Sequence, residues 1–78
     1  MPLVQISVPQ GVLTAAQKQE LISRVTDVVV DVEGVPQLRP SVHVLVNQVA
    51  DCGWGAGGVA WTLAALTEAF GPRTTSAP

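Results

Sequence analysis

The sequence predicts an α/β fold made of one β-α-β unit, followed by a turn or hairpin and a short helix. Three observations predict it: two short segments in which apolar and polar residues alternate, a long segment of helical spacing between them, and glycine or proline at the boundaries. Because a strand, a helix and a second strand of these lengths form a right-handed crossover, we expect the two strands to pair in parallel. We expect residues 1–72 to form a single domain and residues 73–78 to form a disordered tail.

The first strand is predicted over Leu3–Val8, where every second side chain is a branched aliphatic one. A proline and a glycine soon afterwards end it. The helix is predicted from about Thr14 to Glu33, because Thr14 followed three residues later by Gln17 is a capping-box pattern, and leucine and valine then recur at helical spacing. Gly34 is a natural stop for this helix.

The rest of the chain is divided by glycines and prolines. After a loop that contains Pro36 and Pro40, a second strand is predicted over Ser41–Asn47, where valines occupy alternate positions. Four glycines around one tryptophan in the segment Asp51–Gly58 indicate a turn or a short hairpin. A short helix is predicted over Leu63–Phe70, and a glycine and a proline close it.

The small size of this unit predicts a homo-oligomer. One helix can cover only one face of a two-stranded sheet, so the apolar residues on the other face require another chain. A chain of 78 residues buries only ~60% of the surface that it exposes when unfolded. Cys52 and His43 are the only cysteine and the only histidine, so neither an internal disulfide nor a zinc cluster can support the fold.

Charge and hydropathy exclude two classes of partner. Four Lys and Arg residues against six Asp and Glu residues leave no basic stripe for the phosphates of a nucleic acid. The apolar runs are far shorter than the ~20 residues that span a bilayer, and the N-terminus lacks the positive charge of a signal peptide. We therefore expect a cytoplasmic protein with no membrane partner.

Pro2 is the sharpest chemical signal in the sequence. A proline directly after the initiator methionine allows the methionine to be removed, and the mature chain then begins with a secondary amine. An α-amino group titrates at about 7.7–8.0, and apolar surroundings favour its neutral form, which is a general base. Met-Pro also begins many proteins that make no catalytic use of it, so Pro2 alone does not decide the function.

Four segments, taken in order, resemble the 4-oxalocrotonate tautomerase family from Pro2 to about Gly58. They are PLVQISVPQG, TAAQKQELISRV, SVHVLV and WGAGG. The resemblance implies that Pro2 is the base that moves a proton between carbons of an enol or conjugated 2-oxo acid, without metal or organic cofactor. It also implies β-α-β protomers that assemble into dimers and then hexamers, with active sites between subunits.

The chain departs from the family pattern at the residues that bind the substrate carboxylate. Val12 and Leu13 stand where the best-known members have an arginine after the first strand. His43 aligns with a second family arginine, and Trp54 matches an aromatic residue that lines the apolar part of the family's site. Arg39 could supply the missing cation from a loop. The candidate substrate-binding residues are therefore His43, Trp54 and Arg39.

Three interpretations of function remain open. The leading one is a cofactor-independent keto-enol or double-bond tautomerase that acts on a small 2-oxo acid. Hydration or dehalogenation of an unsaturated acid, known in the same superfamily, usually requires additional polar groups to activate water, and this chain has few. The third is a non-catalytic structural subunit of a mixed hexamer whose partner supplies the arginines. Whatever the function, His43 could also be an interface or partly buried structural residue, and Arg39 a solvated surface charge.

Overall fold

The computed structural model describes residues 2–71 and confirms the β-α-β unit. Its elements in chain order are β1 (Leu3–Pro9), α1 (Ala15–Glu33), a 3-10 helix (Pro36–Ser41), β2 (His43–Val49), β3 (Gly55–Ala56), β4 (Val59–Ala60) and α2 (Leu63–Phe70). The predicted tail, residues 73–78, lies outside the described residues, as does Met1.

β1 and β2 form a parallel two-stranded sheet, as the crossover predicts. The register pairs Leu3 with His43 and continues to Pro9 with Val49. β1 ends one residue after the predicted Val8 and β2 ends two residues after the predicted Asn47. The Gln10 N–H also donates to the Val49 carbonyl at 2.7 Å. Half-buried side chains alternate with exposed ones, because successive residues of a strand point to opposite faces, and the half-buried set faces α1. The exposed set defines the open face: Leu3, Gln5, Ser7, His43, Leu45 and Asn47.

The ends of α1 have the predicted caps. The Gln17 N–H donates to Thr14 Oγ1 at 3.1 Å, and the Thr14 N–H donates to Gln17 Oε1 at 2.8 Å. These two bonds form the capping box and satisfy backbone donors that have no partner within the helix. At the other end, Gly34 adopts a left-handed conformation with φ of 74°, which a residue without Cβ adopts readily.

The segment before β2 differs from the prediction. Residues 36–41, expected to be a loop that leads into a strand at Ser41, form a 3-10 helix. Pro36 stands in its first turn, where the fixed φ of proline suits a helix and the missing N–H has no intrahelical partner to lose. The Val42 N–H donates to the Arg39 carbonyl at 3.1 Å at the end of this helix. β2 therefore begins at His43.

The glycine-rich segment forms the hairpin β3–β4, and the predicted bounds of α2 are confirmed. Gly57 and Gly58 have φ of 60° and 81°, the positive values that two-residue hairpin turns require. The Trp61 N–H donates to the Trp54 carbonyl at 2.6 Å and so extends the hairpin. The Trp61 ring lies 6.2 Å from the Phe70 ring, measured between centroids.

The hairpin and α2 join the β-α-β unit at the end of the sheet where β1 and β2 finish. The Leu63 N–H donates to Asp51 Oδ1 at 2.9 Å. The Leu63 side chain lies so close to Gly11 that a Cβ there would be 3.1 Å from it. These contacts place the glycine-rich segment beside the carboxyl ends of the two strands.

Packing within one protomer is sparse. Among residues 2–71, Val12 and Thr26 are the only buried residues, each 8% exposed. Large apolar side chains such as Val32 and Phe70 remain open to solvent. A short chain with so small a core needs further support, and this supports the predicted association of protomers.

Candidate active site

Pro2 is fixed at the start of the sheet. It directly precedes β1 and is half-buried, and its carbonyl accepts a hydrogen bond from the His43 N–H at 3.0 Å. Extending the register by one pair places Pro2 next to Val42, one strand spacing of about 4.8 Å away. The backbone of β2 therefore holds the residue that carries the candidate amine.

The His43 side chain lies on the open face. His43 is exposed and stands opposite Leu3, whose side chain is 56% exposed. Because β2 is covered by α1 on its other face, the imidazole points away from α1. His43 thus holds Pro2 with its backbone while its side chain is directed to the other side of the sheet.

Arg39 lies on the 3-10 helix, on the α1 side of the sheet. It lines a cleft of about 530 Å³ between α1 and the 3-10 helix, here called the α1 cleft, whose walls are four residues of α1 with Arg39, Pro40 and Val42. Arg39 Nη1 donates to Asp27 Oδ1 at 2.5 Å, so an ion pair joins the 3-10 helix to α1. Arg39 and His43 of one protomer therefore lie on opposite faces of the sheet.

Trp54 lies at the opposite end of the sheet from Pro2. β1 and β2 are parallel and each has seven residues, a length of about 20 Å at ~3.3 Å per residue. Pro2 precedes β1, whereas Trp54 follows β2 and is half-buried in the segment that leads into the hairpin. One protomer does not bring Trp54 to Pro2, and it does not bring the three predicted substrate-binding residues together.

The region after β1 is where the family resemblance implies an arginine, and Val12 and Leu13 lie there instead. Val12 is one of the two buried residues among residues 2–71 and so belongs to the core. Leu13 lines a smaller cleft of about 170 Å³ together with Arg24. Arg24 is ion-paired with Glu20, one turn earlier on α1, and its side chain is 77% exposed. A cation is therefore present near this region, but it lies on α1 and is already paired.

Sequence reasoning missed Asp27 as the partner of Arg39. The two residues are 12 positions apart and on different elements, so no helical spacing indicates the pair. The Glu20–Arg24 pair, by contrast, has the i, i+4 spacing that predicts contact on one helix face. The sequence predicts that α1 ends at Gly34, where the chain turns back towards the helix, but this does not indicate which residues then meet.

The described residues were also compared with what a metal site or a membrane-spanning helix requires. Within residues 2–71, no group of three His, Cys, Asp or Glu side chains is placed to hold a metal ion. No helix in the same range combines the length and the apolar character needed to cross a membrane. Cys52 is exposed and unpaired with another cysteine, at φ 71° in the turn after β2.

Comparisons with known proteins agree with this fold. A family model described as tautomerase enzyme matches residues 2–64. The probable tautomerase K2 of Dickeya dadantii (strain 3937) is 36% identical over 58 residues, which cover 74% of this chain and 84% of that protein. The crystal structure of DmpI from Helicobacter pylori matches with a TM-score of 0.64 and 31% sequence identity, covering 76% of this chain and 88% of that one. On these grounds the chain belongs to the tautomerase family.

Proposed function

We propose that the protein is a cofactor-independent tautomerase that interconverts keto and enol forms of a small 2-oxo acid, or shifts a double bond in one, with Pro2 as general base after removal of Met1. The main support for the proposal is the position of Pro2 at the start of the parallel sheet. The family match begins at this residue, and β2 holds its carbonyl at the start of the sheet. Membership of the tautomerase family supports the reaction class, and a cytoplasmic location stays a prediction.

The chemistry requires one proton carrier. In the ketonising direction, the neutral amine of Pro2 takes the proton of the enol hydroxyl, and the resulting ammonium returns a proton to carbon, which regenerates the amine. A cation and a hydrogen-bond donor beside the substrate stabilise the negative charge of the enolate. We assign the carboxylate to Arg39, the enolate oxygen to His43 and the exclusion of water to Trp54.

Neighbouring protomers complete the proposed site. In one chain the His43 side chain lies on the open face and Trp54 lies at the far end of the sheet. A closed symmetric assembly, which we propose to be a homo-hexamer, would bring these two groups from other copies to each Pro2. The exposed Leu3 and Leu45 on the open face support association, because a sheet with an apolar open face needs a cover.

The decisive experiment removes the base. Intact mass should show the loss of Met1, and the purified protein should ketonise the enol form of phenylpyruvate. Pro2→Ala should lower kcat/KM by ~10²–10⁴-fold, the usual contribution of a general base. Pro9→Ala is the matched control, since it removes a proline from the other end of β1 and should retain activity. An unchanged rate in Pro2→Ala would remove Pro2 from the mechanism.

A non-catalytic subunit of a mixed hexamer is the second candidate. It is favoured by Val12, which is buried where the best-known family members have an arginine. It is also favoured by Arg24 and Arg39, each already paired with a carboxylate. An inactive pure protein that gains activity when assembled with an arginine-bearing homologue would make this the better account.

A further inference from the structure

We propose that Asp51 is a positioning residue for Trp54: its carboxylate closes the base of the hairpin and so fixes the indole that excludes water from the substrate. The inference rests on the proposed tautomerase function, in which Trp54 has that task, and adds the group that holds Trp54 in place. Three observations support it: a hydrogen bond that joins the ends of the segment containing Trp54, contacts that fix these ends to the sheet, and the weakness of the hairpin itself.

Asp51 joins the two ends of the segment that contains Trp54. Residues 51–63, here called the Trp54 segment, follow β2 and end at the first residue of α2. The Leu63 N–H donates to Asp51 Oδ1 at 2.9 Å across this segment. Further from the sheet, the Trp61 N–H donates to the Trp54 carbonyl at 2.6 Å. A side-chain oxygen thus continues, towards the sheet, the ladder that backbone bonds form in the hairpin.

Both ends of the Trp54 segment lie against the end of the sheet. A Cβ added at Gly11, just after β1, would be 3.1 Å from Leu63 Cδ2, so the leucine side chain lies close to this turn. Where the segment leaves β2, a Cβ at Gly53 would be 2.9 Å from the Ala50 carbonyl oxygen. Trp54 directly follows this second close contact, so a closed segment gives it a fixed position relative to the sheet.

The rest of the Trp54 segment contributes little packing. Trp54 is half-buried, whereas every other residue from 51 to 60 is exposed. β3 and β4 have two residues each, and an isolated two-stranded hairpin is marginally stable at best in water. The hairpin therefore does not fix Trp54 by itself, and the bond at its base has a large share in keeping the segment closed.

The start of α2 does not need Asp51 as a cap. Thr62 is the N-cap, and its Oγ1 accepts from the Ala65 N–H at 3.0 Å. Neither ion pair within residues 2–71 involves Asp51. A carboxylate beside a helix N-terminus also stabilises the helix by its charge, so the variants must separate that effect from the closing bond.

Two conservative variants separate the acceptor oxygen from the charge. Asp51→Asn keeps an oxygen at the same position and loses the charge, whereas Asp51→Glu keeps the charge and moves the oxygen by one methylene. Asp51→Asn should keep kcat/KM for enol phenylpyruvate within about twofold of wild type, and Asp51→Glu and Asp51→Ala should lower it by about fivefold. Light scattering must show the wild-type oligomer mass. The conservative pair keeps the test decisive where Asp51→Ala does not assemble.

Two further variants test whether Asp51 acts through Trp54. Asp51→Ala should change the residual kcat/KM of a Trp54→Ala protein by less than about twofold, because a positioning residue has no effect once the residue that it positions is gone. Thr62→Ala is the matched control, since it removes a cap from the same helix and leaves the Asp51 bond in place. It should keep kcat/KM within about twofold of wild type.

Amide hydrogen exchange, followed by NMR, tests the closure without a substrate. The Trp61 N–H, which is bonded to the Trp54 carbonyl, exchanges when the Trp54 segment opens. Asp51→Ala should speed this exchange by about fivefold, a typical effect of losing one hydrogen bond. Thr62→Ala should leave the exchange of Trp61 within about twofold and should speed that of Ala65 instead.

Each outcome decides one of the two proposals. Exchange at Trp61 that Asp51→Ala does not change would overturn the closure, and so would a loss of activity in Asp51→Asn that Asp51→Glu does not share. Equal losses from Asp51→Ala with and without Trp54 would show that Asp51 does not act through the indole, and the tautomerase function would stand. A wild type that turns over no enol, but whose Trp61 amide responds to Asp51→Ala, would overturn the function and leave the closure standing.

Discussion

Mixing two inactive variants should restore activity, because the residues proposed for one site lie far apart in each protomer. Pro2 precedes β1 and Trp54 follows β2, and the parallel strands between them are about 20 Å long. A small 2-oxo acid cannot bridge that distance within one chain. We therefore expect the Pro2 and the Trp54 of each active site to come from different protomers.

The size of the recovery follows from random assembly. Pro2→Ala and Trp54→Ala chains, unfolded together in equal amounts and then refolded, take each place in a symmetric oligomer with equal chance. A site that draws the two residues from different protomers is intact in about one quarter of cases. Wild-type chains mixed with the double variant give the same quarter. A site contained in one chain gives no recovery in the first mixture and about one half in the second.

Ketonisation of enol phenylpyruvate measures the fraction of intact sites, relative to wild-type protein refolded in the same way. Light scattering must show the same oligomer mass for all mixtures. No recovery from the two single variants, together with one half from the double-variant mixture, would place the site within one chain and refute the argument from the parallel strands. Full activity of Trp54→Ala alone would remove Trp54 from the site.

The remaining predictions concern His43 and Thr14. His43→Ala should lower kcat/KM for a 2-oxo acid, because the side chain then offers no hydrogen bond to the enolate oxygen. An unchanged kcat/KM would make His43 an interface residue. Thr14→Ala removes the bond from the Gln17 N–H to Thr14 Oγ1 at 3.1 Å and should lower the free energy of unfolding by about 1 kcal/mol. At one protein concentration, Tm should then drop by about 4–8 °C. Thr67→Ala is the control, since its hydroxyl only bonds the Leu63 carbonyl within α2, and an equal drop in both variants would contradict the capping argument.

The β-α-β unit could be predicted because its signals are local. Thr14 and Gln17 are three residues apart, and the structure has both bonds of the capping box. The alternation along both strands matches the observed faces of the sheet. The pattern predicts that β2 begins at Ser41, two residues before the observed start at His43, because the alternation also covers the end of the 3-10 helix. A short 3-10 helix has no hydrophobic period that would reveal it.

The candidate site could not be assembled from the sequence for a different reason. Asp27 and Arg39 meet only because α1 ends at Gly34 and the 3-10 helix then runs back beside it. The opposite directions of the Arg39 and His43 side chains depend on where the 3-10 helix gives way to β2. Contacts between protomers depend on a symmetry that the pattern of one chain does not specify.

His43 has two tasks in the proposed enzyme, and they concern different sites. Its backbone N–H holds the carbonyl of Pro2 in its own chain at 3.0 Å. Its side chain lies on the open face, away from the α1 cleft of that chain. His43→Ala leaves the backbone bond in place, so its effect on catalysis must be exerted in the site of a neighbouring protomer.

Arg39 differs from His43 in the proposed enzyme, because the Arg39 and the Pro2 of one active site come from the same chain. A mixture of Pro2→Ala with His43→Ala should therefore recover about one quarter of the wild-type activity, as the Trp54 mixture does. A mixture of Pro2→Ala with Arg39→Gln should recover none, since every chain then lacks one of two groups that must act together. Recovery in the Arg39 mixture would show that its guanidinium acts with another chain's Pro2. If neither mixture recovers activity although both have the normal oligomer mass, His43 acts in the active site of its own chain.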